Sequence, residues 1–246
     1  MIENEVGEYL INIENSLVNR EKIDISDKKF EKVMFLYRAA LKELKTKIDI
    51  LQEELKLFSG YEPVEYVITR IKKPESILNK LERKDLEPTY ENMFEKIDDI
   101  AGIRIVCNFK SDVYKLVNII SSFQDVRLLD KKDYLKNPKT SGYRSYHIIL
   151  EVPVNFSSGI MYVKVELQIR TLAMDFWASL EHKLKYKNQR ISKQDSKNLI
   201  KYAKIIDNID ENMLNISNRN KKEEKVNLIL EAAEENTKAK KFTFKL

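Results

Sequence analysis

The chain has little sulfur and little histidine for its 246 residues. Cys107 is the only cysteine, so an internal disulfide cannot form. Because His147 and His182 are the only histidines, a zinc site of the usual cysteine and histidine type is not expected. Any metal used in catalysis must therefore be held by carboxylates.

Long hydrophobic runs are also missing. No apolar run approaches the ~20 residues that cross a bilayer, and the first residues lack the basic and apolar segments of a signal peptide. We therefore expect a cytoplasmic protein with no membrane contact. Hydrophobic residues make up 43% of the chain and charged residues 34%, a balance that favours a globular fold over a disordered chain.

Proline and glycine are absent after residue 171, whereas all five prolines and four of the five glycines lie between residues 60 and 159. This predicts turns and strands in the middle of the chain and helices in both flanks. In each flank, apolar residues recur at alternating steps of three and four, which is either core or a helix–helix interface and is compatible with a homo-oligomer. The first seam comprises Met34, Tyr37, Leu41, Leu44, Ile48, Leu51 and Leu55, and the second comprises Leu199, Tyr202, Ile206, Ile209, Met213 and Ile216.

The middle of the chain alternates strand and helix patterns. Strands are predicted at residues 103–107 and 162–170, with a helix at 112–123 between them. A basic loop at 131–142 precedes a further strand, which places Tyr143, Ser145 and His147 on one face and Tyr146, Ile148 and Leu150 on the other. We predict an α+β fold with one mixed sheet and helical arms. The expected divisions are a helical extension at 1–60, a catalytic domain at 61–190 and a helical arm at 191–246.

Positive charge is concentrated in two places, although the net charge is only +5. Residues 70–84 contain six basic and two acidic residues, and residues 131–144 contain five basic and one acidic residue. Such clusters favour contacts with phosphates or a nucleic-acid backbone, and a solvated surface is the alternative.

Two carboxylates are candidates for a metal site. Asp99 stands just before a predicted strand, and Glu166 lies on the polar face of another. If these strands are neighbours, the pair forms an oxygen site suited to Mg²⁺, and Arg70, Lys72 and Lys80 could neutralise a triphosphate beside it. The alternative is that both acids are solvated groups at strand ends.

The segment 141–147 is a candidate nucleotide site. Gly142 permits a sharp turn, and Tyr143 and His147 are predicted to share a strand face. A tyrosine ring beside Lys139 is a platform for stacking a base, or else it packs under a loop. Further along, Asp175 could accept hydrogen bonds from two N–H groups of guanine.

Four ordered motifs together resemble the synthetase domain of the RelA/SpoT family, in particular its small alarmone synthetases of the RelQ and RelP type. The motifs are Arg70-Ile71-Lys72, Asp98 to Arg104, Lys139 to His147, and Val165 to Thr171 followed by Phe176-Trp177-Ala178. They span about half of the chain. The resemblance implies a nucleotidyltransferase-like synthetase core, homotetramers and, for RelQ-type members, inhibition by single-stranded RNA.

The resemblance also implies an activity and a set of site residues. Such proteins transfer the β,γ-pyrophosphoryl group of ATP to the 3′-hydroxyl of GDP or GTP, sometimes of GMP, and release AMP. By motif, Asp99 and Glu166 match the catalytic Mg²⁺ ligands, and Glu166 also activates the hydroxyl. The matching ATP-binding residues are Arg70, Lys72, Lys80 and Arg104, and those on the acceptor side are Lys132, Lys139, Tyr143, His147 and Gln168. Asp175 stands where RelQ-type members often have asparagine.

Two other functions are alternatives to this one. A basic oligomer that binds RNA, with secondary or absent catalysis, would not need the pair Asp99 and Glu166. Nucleotidyl transfer to a polynucleotide would want a third carboxylate, typically as Asp-x-Asp at a strand end. Asp98 and Asp99 are adjacent rather than alternating, which disfavours that reaction.

Overall fold

The first apolar seam folds as the long helix α1 (Lys28–Ser59) of the computed structural model, which describes residues 20–157, 159–187 and 192–220. Asp27 caps its N terminus by accepting a hydrogen bond from the Lys29 backbone. Gly60 ends it with a left-handed φ of 63°, a conformation that glycine adopts without steric cost. All seven residues of the seam are buried, so in this helix the seam is core.

A single five-stranded mixed sheet forms the middle of the molecule, which confirms the predicted fold class. Its strands are β1 (Val64–Ile71), β2 (Ala101–Cys107), β3 (Arg127–Asp133), β4 (Tyr146–Phe156) and β5 (Gly159–Thr171). Their order across the sheet is β1-β2-β5-β4-β3. The central strands β2 and β5 are parallel, and the other pairs are antiparallel. The strand that follows Asp99 and the strand that carries Glu166 are therefore immediate neighbours.

Within the described residues, five more helices connect and flank these strands. They are α2 (Pro74–Glu82), α3 (Tyr90–Lys96), α4 (Lys110–Ser121), α5 (Leu172–Lys187) and α6 (Lys193–Asn220). In the described ranges, none of the helices combines the length and the apolar character needed to span a membrane.

The alternating pattern of β5 gives the sheet two different faces. Its odd-numbered residues from Val163 to Ile169 are buried in one apolar cluster with residues of α1 and α4. The even-numbered residues between them, Lys164, Glu166 and Gln168, lie on the other face and are only partly buried. The core therefore fills one side of the sheet and leaves the polar side for a ligand.

The structure differs from the sequence-based expectations at three points. Residues 131–133 belong to strand β3 rather than to a loop. They pair with β4, but they lack the apolar alternation from which a strand is recognised in a sequence. Tyr143 precedes β4 instead of lying within it. Strand β1 and the short helices α2 and α3 had no clear periodicity and were not predicted.

The second apolar seam behaves differently from the first. In α6, Tyr202, Ile209, Met213 and Ile216 are each about half exposed, and the helix turns Ala203 and Asp210 toward the core. Residues 1–19 and 221–246 of the predicted flanking divisions lie outside the described residues. The boundaries of the three divisions stay a prediction.

Candidate active site

Asp99 and Glu166 line one cleft on the polar face of the sheet. Parallel pairing of β2 with β5 sets Gly102 beside Glu166, and Asp99 lies three residues before Gly102. The cleft has a volume of about 110 Å³. Its lining residues are Ile68, Arg70, Lys72, Asp99, Gly102, Ile103, Arg104, Glu166 and Gln168. The fold thus brings the two candidate carboxylates and most of the predicted ATP-binding residues to one place.

Asp99 is held between two lysines. Lys72 Nζ lies 2.8 Å from Asp99 Oδ2, and Lys80 Nζ lies 2.7 Å from Oδ1. The backbone fixes this arrangement, because Lys72 N donates to Ile100 O at 2.8 Å. Burial opposes ionisation of Asp99, but hydrogen bonds and charge attraction from the two lysines outweigh it and lower the pKa. Asp99 is therefore an ionised carboxylate with a concentrated positive charge beside it.

Glu166 is oriented by two neighbours on the same face. His147 Nδ1 lies 3.0 Å from Glu166 Oε1, and Gln168 Nε2 donates to Oε2 at 2.8 Å. Burial raises the pKa of Glu166, and so does the negative charge of Asp99. The contacts with His147 and Gln168 lower the pKa by more than this, so the net shift is downward. Glu166 is therefore an ionised carboxylate in the same cleft as Asp99.

A row of cross-strand neighbours joins the two ends of the site. Lys132 pairs with His147 between β3 and β4, His147 pairs with Gln168 between β4 and β5, and Gln168 pairs with Arg104 between β5 and β2. Side chains in register on adjacent strands point to the same face. Lys132 at the sheet edge is 56% exposed and pairs with Asp130 at 2.8 Å. Four predicted residues therefore form one line across the polar face.

Tyr143 is fixed through its hydroxyl. Tyr143 Oη lies 2.9 Å from His147 Nε2, and Arg170 Nη2 donates to Oη at 2.6 Å. Lys139 Nζ is 5.0 Å from the centroid of the Tyr143 ring. Burial raises the pKa of Tyr143, so the phenol stays protonated at neutral pH. A continuous chain of contacts therefore runs from Tyr143 through His147 to Glu166.

Asp175 is engaged by protein groups and is only 6% exposed. Its Oδ1 lies 3.2 Å from Arg104 Nη1 and 3.1 Å from Arg170 Nη1, and its Oδ2 accepts from Tyr66 Oη at 3.0 Å. These contacts tie Arg104, which lines the cleft, to Arg170, which holds Tyr143. Recognition of guanine by Asp175 stays a prediction.

Arg170 was missed as a site residue by the sequence analysis. It is 4% exposed and contacts Tyr143, Gln168 and Asp175. Its place as the last polar residue of the alternating β5 pattern was the available signal. Ile68 of β1 also lines the cleft, and nothing in its sequence surroundings indicated this.

Comparison with known proteins places this geometry in a family. The family model described as "Region found in RelA / SpoT proteins" matches residues 69–191. GTP pyrophosphokinase YwaC of Bacillus subtilis is 48% identical over 184 residues, which is 74% of this chain and 88% of that protein.

Two solved structures are similar over most of this chain. The crystal structure of small alarmone synthetase 2 from Bacillus subtilis has a TM-score of 0.71 and 44% identity, and covers 78% of this chain and 100% of its own. The structure of small alarmone synthetase 1 from the same species, bound to its product pppGpp, has a TM-score of 0.73 and 36% identity, and covers 78% and 98%.

Proposed function

The chain belongs to the RelA/SpoT family, and we propose on that premise that it is a GTP pyrophosphokinase of the small alarmone synthetase kind. It transfers the β,γ-pyrophosphoryl group of ATP to the 3′-hydroxyl of GDP or GTP and releases AMP. The observation that carries the proposal is the single cleft in which Asp99 and Glu166 lie beside Arg70, Lys72 and Arg104. The relatives' names and the product bound to one of them support the same reaction.

Glu166 is the group that receives the proton. The 3′-oxygen of the acceptor attacks the β-phosphorus of ATP, the bond from that phosphorus to the α,β-bridging oxygen breaks, and AMP leaves. The proton of the hydroxyl passes to the Glu166 carboxylate, which is ionised and therefore able to accept it. His147 and Gln168 hold the two carboxylate oxygens, so that the base does not rotate away from the acceptor.

The basic residues on the other side of the cleft bind the donor. Lys72 and Lys80 place two positive charges beside Asp99, where the phosphates of ATP bring negative charge. Arg70 and Arg104 flank Gly102 on the neighbouring β1 and β2 backbones and hold the adenine between them. Positioning and charge neutralisation of this kind supply most of the catalysis in phosphoryl transfer.

The residues present fit a bound Mg²⁺ ion. Asp99 and Glu166 are ionised carboxylates in one cleft, and oxygen is the ligand that Mg²⁺ prefers. Among the described residues, no group of three or more metal-binding side chains comes together, so substrate phosphates and water would complete the coordination. When bound, the ion would neutralise phosphate charge and polarise the attacked phosphoryl group.

The acceptor binds at the other end of the row of cross-strand neighbours, near β3 and β4. The Tyr143 ring stacks on the guanine, and Lys132, Lys139, His147 and Gln168 contact the sugar and the phosphates of the acceptor. Lys132, His147 and Gln168 lie on the polar face of the sheet, and the Tyr143 hydroxyl contacts His147, which in turn contacts Glu166. The 3′-hydroxyl therefore arrives beside the group that takes its proton.

Self-association into a homotetramer is supported by an apolar strip on α5 and α6. A cleft of about 350 Å³ runs between these helices, with an almost wholly apolar lining. Exposed side chains along it are Phe176, Leu180, Leu184, Tyr202 and Ile205. Apolar patches of this kind on a soluble chain mark interfaces. Sedimentation velocity of the purified chain measures the assembly, and a monomer at micromolar concentration would contradict it.

The reaction is tested by resolving the products of purified protein, Mg²⁺ and labelled ATP with GMP, GDP or GTP in turn. We expect AMP and a 3′-pyrophosphorylated guanosine nucleotide in equal amounts, and neither product without an acceptor or after chelation of the metal. Release of ADP, or of AMP without an acceptor, would indicate a different reaction.

A further inference from the structure

We propose that helix α6 holds the acceptor loop, defined as residues 139–144, and that Ala203 and Asp207 of this helix are positioning residues for the acceptor nucleotide. The identity of the acceptor rests on the proposed function, whereas the contacts that hold the loop do not. Neither residue touches the cleft of Asp99 and Glu166. Their effect would pass through the loop to Tyr143.

The first contact is a close packing of backbone against helix. Gly142 has a φ of +92°, and a β-carbon placed on it would lie 2.7 Å from Ala203 Cβ and 3.5 Å from Ile200 Cα. Only glycine on the loop and a small residue on the helix allow this approach. Ala203 is buried at this point, so α6 sets how far the loop can move toward it.

The second contact is an ion pair on the other side of Tyr143. Arg144 Nη2 lies 3.0 Å from Asp207 Oδ2, and the same guanidinium donates through Nη1 to Leu135 O. Lys110 at the start of α4 anchors Asp207 in turn, with Nζ 2.8 Å from Oδ1. Arg144 is thereby fixed between α6 and the segment that follows β3.

Trp177 closes the arrangement from α5. It is 5% exposed, its Nε1 donates to Leu199 O of α6 at 3.2 Å, and its ring lies 3.6 Å from the β-carbon position of Gly142. This side chain is the only tryptophan of the protein, so its fluorescence reports on the junction of α5, α6 and the loop.

The consequence is selective. Tyr143 stands between Gly142 and Arg144, and both of these neighbours are held by α6. Asp99, Lys72 and Lys80 are held instead by contacts among β1, α2 and the residues before β2. Loosening α6 should therefore weaken acceptor binding and leave ATP binding intact.

The test compares Asp207→Asn with Glu211→Gln as a matched control. Glu211 also pairs with Lys110, at 3.0 Å, but has no contact with the acceptor loop. We expect Asp207→Asn to raise the acceptor KM about tenfold, as for the loss of one charge-assisted contact, with the ATP KM changed less than about twofold. The control should change neither KM. The emission of Trp177 should shift in Asp207→Asn and stay unchanged in Glu211→Gln.

Ala203→Val gives a second route to the same result, because added methyl groups would push the loop away from α6. Equal KM values in wild type, Asp207→Asn and Ala203→Val would overturn the proposal. So would a fall in kcat with both KM values unchanged, or an equal rise in both, since these are the results of a merely structural role.

Calorimetric titration with GDP separates this proposal from the reaction itself. If no AMP is released but GDP binds about tenfold more weakly to Asp207→Asn than to wild type, the function fails and the positioning role stands. If AMP is released and the variant binds GDP as wild type does, the role fails and the function stands. A wild type that binds no guanine nucleotide would overturn both.

Discussion

The two halves of the proposed active site, one for the donor and one for the acceptor, are built in different ways. The donor half, comprising Asp99, Lys72 and Lys80, is held by short ion pairs and a backbone hydrogen bond at the ends of β1 and β2. The acceptor half, comprising Lys139, Tyr143 and His147, depends on a loop whose supports come from α5, α6 and β5. The donor half is thus held by contacts among its own residues, whereas the acceptor half is also held by residues of α6, farther along the chain.

This difference teaches where function is sensitive to remote change. A substitution outside the donor half should change the position of Asp99 little, because Lys72 and Lys80, which hold Asp99, belong to the proposed site themselves. Tyr143 instead receives contacts from Arg170 and, through its chain neighbours, from α6. The acceptor side is where variation in this molecule should alter specificity without destroying catalysis.

Glu166→Gln should have the largest effect, because Glu166 serves both halves. Glutamine keeps the shape and can still contact Gln168, but it cannot take the proton of the acceptor. A positioned base contributes about 10²–10⁴ in rate, and we expect kcat for AMP release to fall by at least about 10³. The melting temperature should stay close to that of wild type. Full activity in this variant would remove Glu166 from the mechanism and leave the two halves without a shared group.

Tyr143→Ala and Lys80→Met should separate the halves. A stacked base is worth about 1–3 kcal/mol, so Tyr143→Ala should raise the acceptor KM by about 10- to 100-fold and change the ATP KM little. Lys80→Met removes one of the two cations beside Asp99, so it should raise the ATP KM and change the acceptor KM little. Tyr143→Phe keeps the ring and is the control for stacking. If either variant raised both KM values equally, the cleft would not divide in this way.

The same division explains what could be predicted from the sequence. Asp99 stands just before a predicted strand and Glu166 lies on an alternating strand, where local pattern fixes the face on which a side chain lies. Tyr143 was predicted beside His147 on a strand face, and the contact exists, but Tyr143 lies in the preceding loop.

The supports of the acceptor half could not be predicted. Ala203 and Asp207 lie on a helix whose apolar residues recur at alternating steps of three and four, and neither belongs to that seam. The spacing of the seam does not indicate which face of the helix packs inward. The two long helices carry similar seams, yet the seam is buried in α1 and largely exposed in α6. What covers a helix face is decided by contacts far along the chain, which periodicity does not contain.

Gly142→Ala and Gly102→Ala extend the comparison to stability. The added carbon at Gly142 would lie 2.7 Å from Ala203 Cβ on a backbone with φ of +92°, so we expect a loss of about 1–3 kcal/mol in the free energy of unfolding. At Gly102 the nearest atoms to an added carbon are 3.9 Å away, so the fold should tolerate it, while the methyl group narrows the donor half and raises the ATP KM. Denaturant unfolding of both variants measures the difference. Equal stability would show that α6 does not press on the loop.

Asp210→Asn should give the smallest effect and tests the polar attachment of α6. Burial raises the pKa of Asp210, although Thr171 Oγ1 donates to its Oδ2 at 2.7 Å and Lys110 is nearby. A carboxyl with a raised folded pKa binds more protons folded than unfolded, so its contribution to stability is lost as pH rises through that pKa. Asparagine does not titrate and still accepts from Thr171. The melting temperature of Asp210→Asn should therefore exceed that of wild type slightly at pH 7, and the difference should shrink toward pH 4. Glu211→Gln, whose side chain is 53% exposed, is the control. If wild type were the more stable protein at pH 7, ionised Asp210 would stabilise α6 through interactions with neighbouring groups. The acceptor half would then be supported by charge interactions, as the donor half is.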